Sequence, residues 1–208
     1  MPAKRKTAFA ILGLLAWKPM SGYDIKKVVD VGLSHFWNEN YGQIYPTLDR
    51  LVKDGLATKK SQRKSGKRQR FVYTITRKGR KEFRAWIHQP TDAPVVRNEL
   101  QLKFFLSSSL PPSSGAELIE AHRSQQQAVL EEFRQSERLL LRALRAGEST
   151  DELDEILAIS GSSAAQKRKQ LNTFYLTLRH GIRITEARVA WCDEVIAHFR
   201  CESTKSDA

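Results

Sequence analysis

The chain has 208 residues, slightly above the usual size of one domain, and 40% of them are hydrophobic, including nine Phe, five Tyr and four Trp. A chain this apolar folds and buries a core, so its net charge of +12 points to an anionic partner and not to a disordered basic tail. No apolar run approaches the roughly 20 residues needed to span a bilayer. Two cysteines, Cys192 and Cys201, are too few for a disulfide scaffold or a cysteine-based zinc module. The N-terminus is basic and then apolar but lacks a small-residue cleavage site, so a cytoplasmic protein is expected.

The charge is unevenly divided. Residues 1–89 carry 20 Lys and Arg against 6 Asp and Glu, a net +14, while residues 90–208 carry 15 against 17, a net −2. An N-terminal half that meets a polyanion and a C-terminal half with another task fit this split. The two prolines of Gln89-Pro90-Thr91-Asp92-Ala93-Pro94 end any helix before them and mark the boundary.

In chain order, Thr7 is expected to cap a helix through Phe9, Ile11, Leu12, Leu14 and Leu15, apolar nearly all round and therefore buried. Ser21 and Asp24 have capping-box spacing for a second helix, with Ile25, Val28 and Val29 as its apolar stripe. Pro46 is tolerated only in a first turn and Gly55 supplies a left-handed stop, which predicts a third helix from about Gln43–Tyr45 to Gly55. Ile44, Leu48, Leu51 and Val52 form its buried stripe, leaving Gln43, Thr47, Arg50 and Asp54 to face outward. Ala57–Lys60 and Arg70–Ile75 alternate like two strands, joined by a turn-bearing stretch; Lys59 to Arg70 holds seven basic residues in twelve and no acid. Thr76 then caps a fourth helix carrying Phe83, Trp86 and Ile87 and ending at Pro90.

Three helices, a basic hairpin and a returning helix make a winged helix-turn-helix. Its third helix suits a major groove, and its Lys/Arg-rich wing would follow phosphates or a minor groove. Within that frame Gln43, Thr47 and Arg50 are expected at base edges, Ser21, Tyr23 and Tyr45 at phosphates, and Lys64, Lys67 and Arg68 in the wing. For Tyr45, packing beside Pro46 is an almost equal alternative.

Four motifs, Ile11-Leu12-Gly13-Leu14-Leu15, Ser21-Gly22-Tyr23-Asp24-Ile25, Gln43-Ile44-Tyr45-Pro46-Thr47-Leu48-Asp49-Arg50-Leu51 through Gly55-Leu56, and Tyr73-Thr74-Ile75-Thr76-Arg77-Lys78-Gly79, occur in order. Together they resemble the PadR family of bacterial transcriptional regulators over about residues 7–90. Lys53 and Ala57 stand where the family usually has Glu and an aliphatic residue, which affects surface and strand detail but not the motif frame. The longer C-terminal region looks like the subgroup with an extended, AphA-like helical domain. The resemblance implies a dimeric, nucleoid-associated repressor or activator on an inverted-repeat operator of double-stranded DNA, sometimes released by a small aromatic effector.

Beyond the boundary, residues 97–106 have helical spacing, an unbroken pattern runs from Ser113 or Ser114 to about Arg145, and a short helix is expected near Leu153–Ile159. From Leu171 the positions Tyr175, Leu178, Ile182, Thr185, Val189, Cys192, Ile196 and Phe199 alternate four and three apart. Such a seam needs a facing helix, either residues 118–144 of the same chain or a second copy; dimerisation through Leu171, Tyr175, Leu178, Ile182, Val189, Ile196 and Phe199 is the preferred reading. The expected fold is mainly α: an α+β winged helix over 1–90, a connecting segment with a short helix over 91–112, and a helical dimerisation domain over 113–202.

The five histidines show no metalloprotease spacing, and no nucleophile-elbow or phosphate-loop glycine pattern occurs, so no enzyme, cofactor or metal is expected. Glu194, His198 and Cys201 share a helical face, which a solvated charged edge explains better than a metal corner. Phe36, Trp37 and Tyr41 with Phe104 and Phe105 could line an effector pocket, or simply pack. Two other function classes stay open: an architectural nucleic-acid binder with no single operator, and a helical interaction protein.

Overall fold

The structure is a computed structural model of the chain and describes residues 3–33, 36–37, 41–62, 70–93, 97–160 and 163–206. It divides into two compact units, Met1–Ala93 with Gly147–Phe174, and Pro94–Ala146 with Tyr175–Ala208.

In the first unit α1 (Ala3–Trp17) is the central helix. Phe9, Ile11, Leu12, Leu14 and Leu15 are all buried, as an all-round apolar helix requires. Thr7 does not cap it; the helix begins a full turn earlier and Thr7 is a buried residue within it. β1 (Met20–Ser21) follows, too short to be read from sequence, and then α2 (Gly22–Gly32). The capping box forms as its spacing predicts: the Ser21 hydroxyl accepts from the Asp24 amide and the Asp24 carboxylate accepts from the Ser21 amide.

A 3-10 turn at Tyr41–Gln43 leads into α3 (Ile44–Lys53), placing Pro46 in the first turn, and Gly55 ends the segment at φ 70°. β2 (Ala57–Gln62) and β3 (Arg70–Ile75) pair antiparallel from Ala57↔Ile75 to Gln62↔Arg70; β1 pairs with the other edge of β3, giving the order β1-β3-β2. Thr76 caps α4 (Arg77–Ile87) by accepting from the Gly79 amide, and its hydroxyl donates to the Gly55 carbonyl. Phe9 and Trp86 stack at 5.0 Å, fastening α4 to α1.

This unit does not close at the proline-marked boundary. α7 (Asp151–Ser160) returns to it, and Ile156 is fully buried among the residues of the winged-helix core. Lys27 pairs with Glu155, and Phe174, in the first part of α8 (Ala164–Ser206), meets Trp17 edge-on at 6.3 Å. Its core therefore draws on residues far beyond 1–90.

The second unit holds α5 (Glu99–Leu106), capped by Asn98, a 3-10 turn at Ser107–Ser109, α6 (Pro112–Ala146) and the remainder of α8. α6 and α8 run antiparallel: Glu137 pairs with Arg179 at 2.8 Å, Arg134 with Glu186, and Arg123 with Asp193. Between them Leu130, Phe133 and Leu140 pack on Leu178 and Ile182. Phe104 of α5 meets Trp191 and Phe199 edge to face at 5.9 and 6.2 Å.

The seam expected to join two copies is thus partly filled by the chain's own helices. Leu178 and Ile182 are buried against α6, Phe199 is held by α5, and Leu171 is buried in the first unit. Tyr175, Val189 and Ile196 are half-buried. A four-three pattern identifies a face that must be covered but not the molecule that covers it, and here helices of the same chain cover part of it. The large apolar side chains left exposed on this unit lie elsewhere: Leu102, Phe105, Leu106, Leu110, Leu139, Leu176 and Ile184.

Candidate nucleic-acid interface

Three elements of the first unit contribute to one surface: the start of α2, the exposed side of α3, and the strands of the wing. The side of α3 that meets the core is Ile44, Thr47, Leu48 and Leu51, the i, i+3, i+4, i+7 set of a single helical stripe. The outward side is Gln43, Tyr45, Pro46, Asp49, Arg50 and Lys53. Thr47, expected at base edges, is only 2% exposed and cannot reach DNA. Val52, expected in the buried stripe, is partly exposed but still packs against the core, so the expected stripe stands and Thr47 widens it on its other edge. Gln43 and Arg50 do lie on the outer side.

Tyr23 and Tyr45 are 63% and 56% exposed and stand beside each other at the start of α2. Gly22 makes room for this. A Cβ there would come within 2.5 Å of the Tyr45 ring, so the tyrosine lies flat against the backbone only because residue 22 has no side chain. The ring is exposed on one side and lies against Gly22 on the other.

Ser21 is 3% exposed, and its hydroxyl is fully used: it donates to Asp24 Oδ2, accepts from the Asp24 amide, and accepts from Arg70 Nη2 at 2.8 Å. It does not serve as the expected direct phosphate ligand but anchors the residue that can. Arg70, the first residue of β3, bonds Asp24 Oδ1 at 2.5 Å and so ties the wing to the α2 cap. Burial would raise the Asp24 carboxyl, but hydrogen bonds from the Ser21 amide and hydroxyl and from Arg70 hold it below its ordinary value.

Across the wing, Lys59 of β2 donates to Asp49 of α3 at 3.1 Å and lies 4.6 and 5.6 Å from the ring centres of Phe71 and Tyr73. Ser21, Tyr23, Tyr45, Asp49, Lys59, Arg70 and Phe71 together line a groove of about 620 Å³. Lys64, Lys67 and Arg68 lie outside the described residues. Sequence reasoning missed Asp49, Lys59, Arg70 and Phe71 as members of this surface. The signal for Asp49 was its i+4 spacing from Tyr45; Arg70 and Lys59 were visible only as two charges within a basic run.

The chain has relatives among known proteins. The Transcriptional regulator PadR-like family matches residues 11–85, and the Virulence activator alpha C-term family matches residues 96–200. The Negative transcriptional regulator PadR of Bacillus subtilis is 30% identical over 166 residues, which is 78% of this chain and 91% of that protein. The chain belongs to the PadR-like family of transcriptional regulators. Its fold is similar to that of B. subtilis PadR solved in complex with operator DNA, with a TM-score of 0.73 and 26% identity over 93% of this chain and 98% of that one. It is also similar to the same protein solved with p-coumaric acid (TM-score 0.70, 26% identity, covering 92% and 97%). The Vibrio cholerae virulence activator AphA shares the fold at a TM-score of 0.66 and 23% identity, covering 94% and 98%. The PadR-like chain is therefore a DNA-binding regulator and not an enzyme. No described helix is long and apolar enough to cross a membrane.

Proposed function

We propose that the chain is a dimeric repressor that binds an inverted-repeat operator and is released by a small aromatic effector. The observation that carries the reading is the outward side of α3, polar and exposed above an apolar underside, next to a wing of basic sequence. A helix of this kind reads base edges in the major groove while the wing neutralises phosphates. Gln43 and Arg50 take the base-edge role, and Tyr23, Tyr45 and Arg70 the phosphate role. Lys64, Lys67 and Arg68 anchor the wing. The operator complex of the B. subtilis relative supports the DNA reading, its description as a negative regulator supports repression, and its p-coumaric acid complex supports the effector class.

Dimerisation rests on surface chemistry. Leu102, Phe105 and Leu106 project from one short helix, Phe105 with 76% of its surface exposed, and Leu176 and Ile184 project from α8. Exposed apolar side chains of this kind are what an interface between two copies would cover. Two copies joined there would present two reading helices, and contact with successive major grooves requires a separation of roughly 34 Å.

Selection of bound oligonucleotides from a random pool tests the reading. A palindromic motif, with Arg50→Ala relaxing one position per half-site, is the expected result. Equal recovery of all sequences at physiological salt would favour the architectural binder, and a monomer in light scattering would remove the two-fold.

A further inference from the structure

The reading helix carries an acid on the side that would meet a polyanion. Asp49 lies on the outward side of α3, one turn after Tyr45 and one turn before Lys53, and it lines the same groove as Tyr23 and Arg70. A bare carboxylate there would be repelled by every phosphate whatever the sequence, so its charge must be offset.

The offset is built into the wing. Lys59 Nζ donates to Asp49 Oδ1 at 3.1 Å, and its ammonium is held over the rings of Phe71 and Tyr73. The hydrogen bond that Lys59 donates to Asp49 contributes most to holding its ammonium above the ordinary pKa. Asp49 Oδ2 accepts from no described residue. The carboxylate is therefore neutralised and oriented at one oxygen and open at the other.

An ionised carboxylate only accepts hydrogen bonds. In the major groove only cytosine N4 and adenine N6 donate. Adenine places its N7 acceptor next to that donor, and guanine and thymine present acceptors alone. An open carboxylate oxygen thus selects cytosine and disfavours the other three bases.

We propose that Asp49 is a specificity-determining residue, reading a cytosine in each half-site through Oδ2, and that Lys59, seated on Phe71 and Tyr73, is its positioning residue. The inference rests on the reading in which α3 enters the major groove.

Selection from a random DNA pool with the full-length wild type, Asp49→Ala, Asp49→Asn and Lys59→Met tests it. The wild type is expected to fix a cytosine at one position of each half-site. Asp49→Ala loses that preference, about ten- to a hundredfold in relative affinity, while the rest of the motif is kept. Asp49→Asn shifts the position toward adenine, whose N6 and N7 an amide can bond together. Lys59→Met binds all sequences more weakly and also loses part of the cytosine preference, which a lysine that only offset charge would leave unchanged. Two results would overturn the assignment: Asp49→Ala enriching the wild-type motif unchanged, or the same variant binding every sequence more tightly by one common factor. A wild type that enriches no motif would instead bring down the major-groove reading, and this inference with it.

Discussion

Replacing Gly79 by Ala sets two opposing effects against each other, and the structure decides the sign. Gly79 sits in the first turn of α4, where alanine is a better helix former by about 1 kcal/mol. A Cβ at this position, however, would fall on the carbonyl oxygen of Leu56, far inside the 3.0 Å that real Cβ atoms keep from their neighbours. That oxygen belongs to backbone and cannot rotate away. It also accepts from the Thr76 amide at 3.0 Å and the Thr76 hydroxyl at 3.2 Å, so moving it weakens two hydrogen bonds at the junction of β2, β3 and α4. Overpacking costs about 1–3 kcal/mol and each weakened bond about 1 kcal/mol, which leaves Gly79→Ala less stable than wild type by about 2–4 kcal/mol. Urea unfolding followed by far-ultraviolet circular dichroism measures the difference. Gly115→Ala is the control, because the nearest neighbours of its Cβ would be side-chain atoms, of Ser107 at 3.0 Å, Phe199 at 3.3 Å and Phe104 at 3.7 Å, and not backbone; a change within about 1 kcal/mol is expected. If Gly79→Ala matched or exceeded the wild type, the close approach of α4 to the Leu56 backbone would be wrong.

Ile156→Ala should destabilise the protein by about 2–5 kcal/mol, because the side chain is fully buried in the winged-helix core; a loss under 0.5 kcal/mol in the same urea assay would contradict that packing. Asp24 has a carboxyl held below its ordinary value of 3.8, so its contribution to stability is complete above that pH and is lost as pH falls through the depressed value. The stability difference between wild type and Asp24→Asn should therefore be constant from pH 5 to 7 and narrow below pH 4, and a gap that widened on acidification would reverse the sign. In the native protein one thiol, that of Cys201, should react readily with an aromatic disulfide reagent. Cys192 is buried, and burial, with Asp193 beside it, raises its pKa, so it should react only on unfolding; two fast equivalents would contradict its placement.

How much could be read from the chain alone depended on whether a feature was local. The α2 capping box, the left-handed stop at Gly55, the Pro46 start of α3 and the Thr76 cap of α4 are each set by residues within four positions of one another, and each formed as its spacing predicts. Errors arose where a distant partner decided. Ser21 looked like a phosphate ligand until Arg70, 49 residues away, took its remaining lone pair. In the α8 seam, α5 and α6 take up Leu178, Ile182 and Phe199, which the four-three spacing alone does not reveal, while Tyr175, Val189 and Ile196 are only half-buried. Thr47 is a different failure: giving the stripe to Ile44, Leu48, Leu51 and Val52 left it facing outward, yet 44, 47, 48 and 51 form a regular buried stripe, and a threonine methyl is apolar enough to complete it. The groove was legible in its tyrosines and not in the Asp49–Lys59 pair, because cross-element ion pairs leave no periodic trace.

The return of α7 to the first unit has a consequence for how the protein is made. A ribosome has produced the whole winged helix by residue 93, but Ile156, which fills its core, emerges 63 residues later. At 5–20 residues per second this is a delay of roughly 3–13 s during which the nascent DNA-binding half has an unfilled apolar site. Translation must therefore run well into the C-terminal half before the earlier half can complete its fold, and a transcript cut short between the two would yield a poorly closed product and no working DNA-binding fragment.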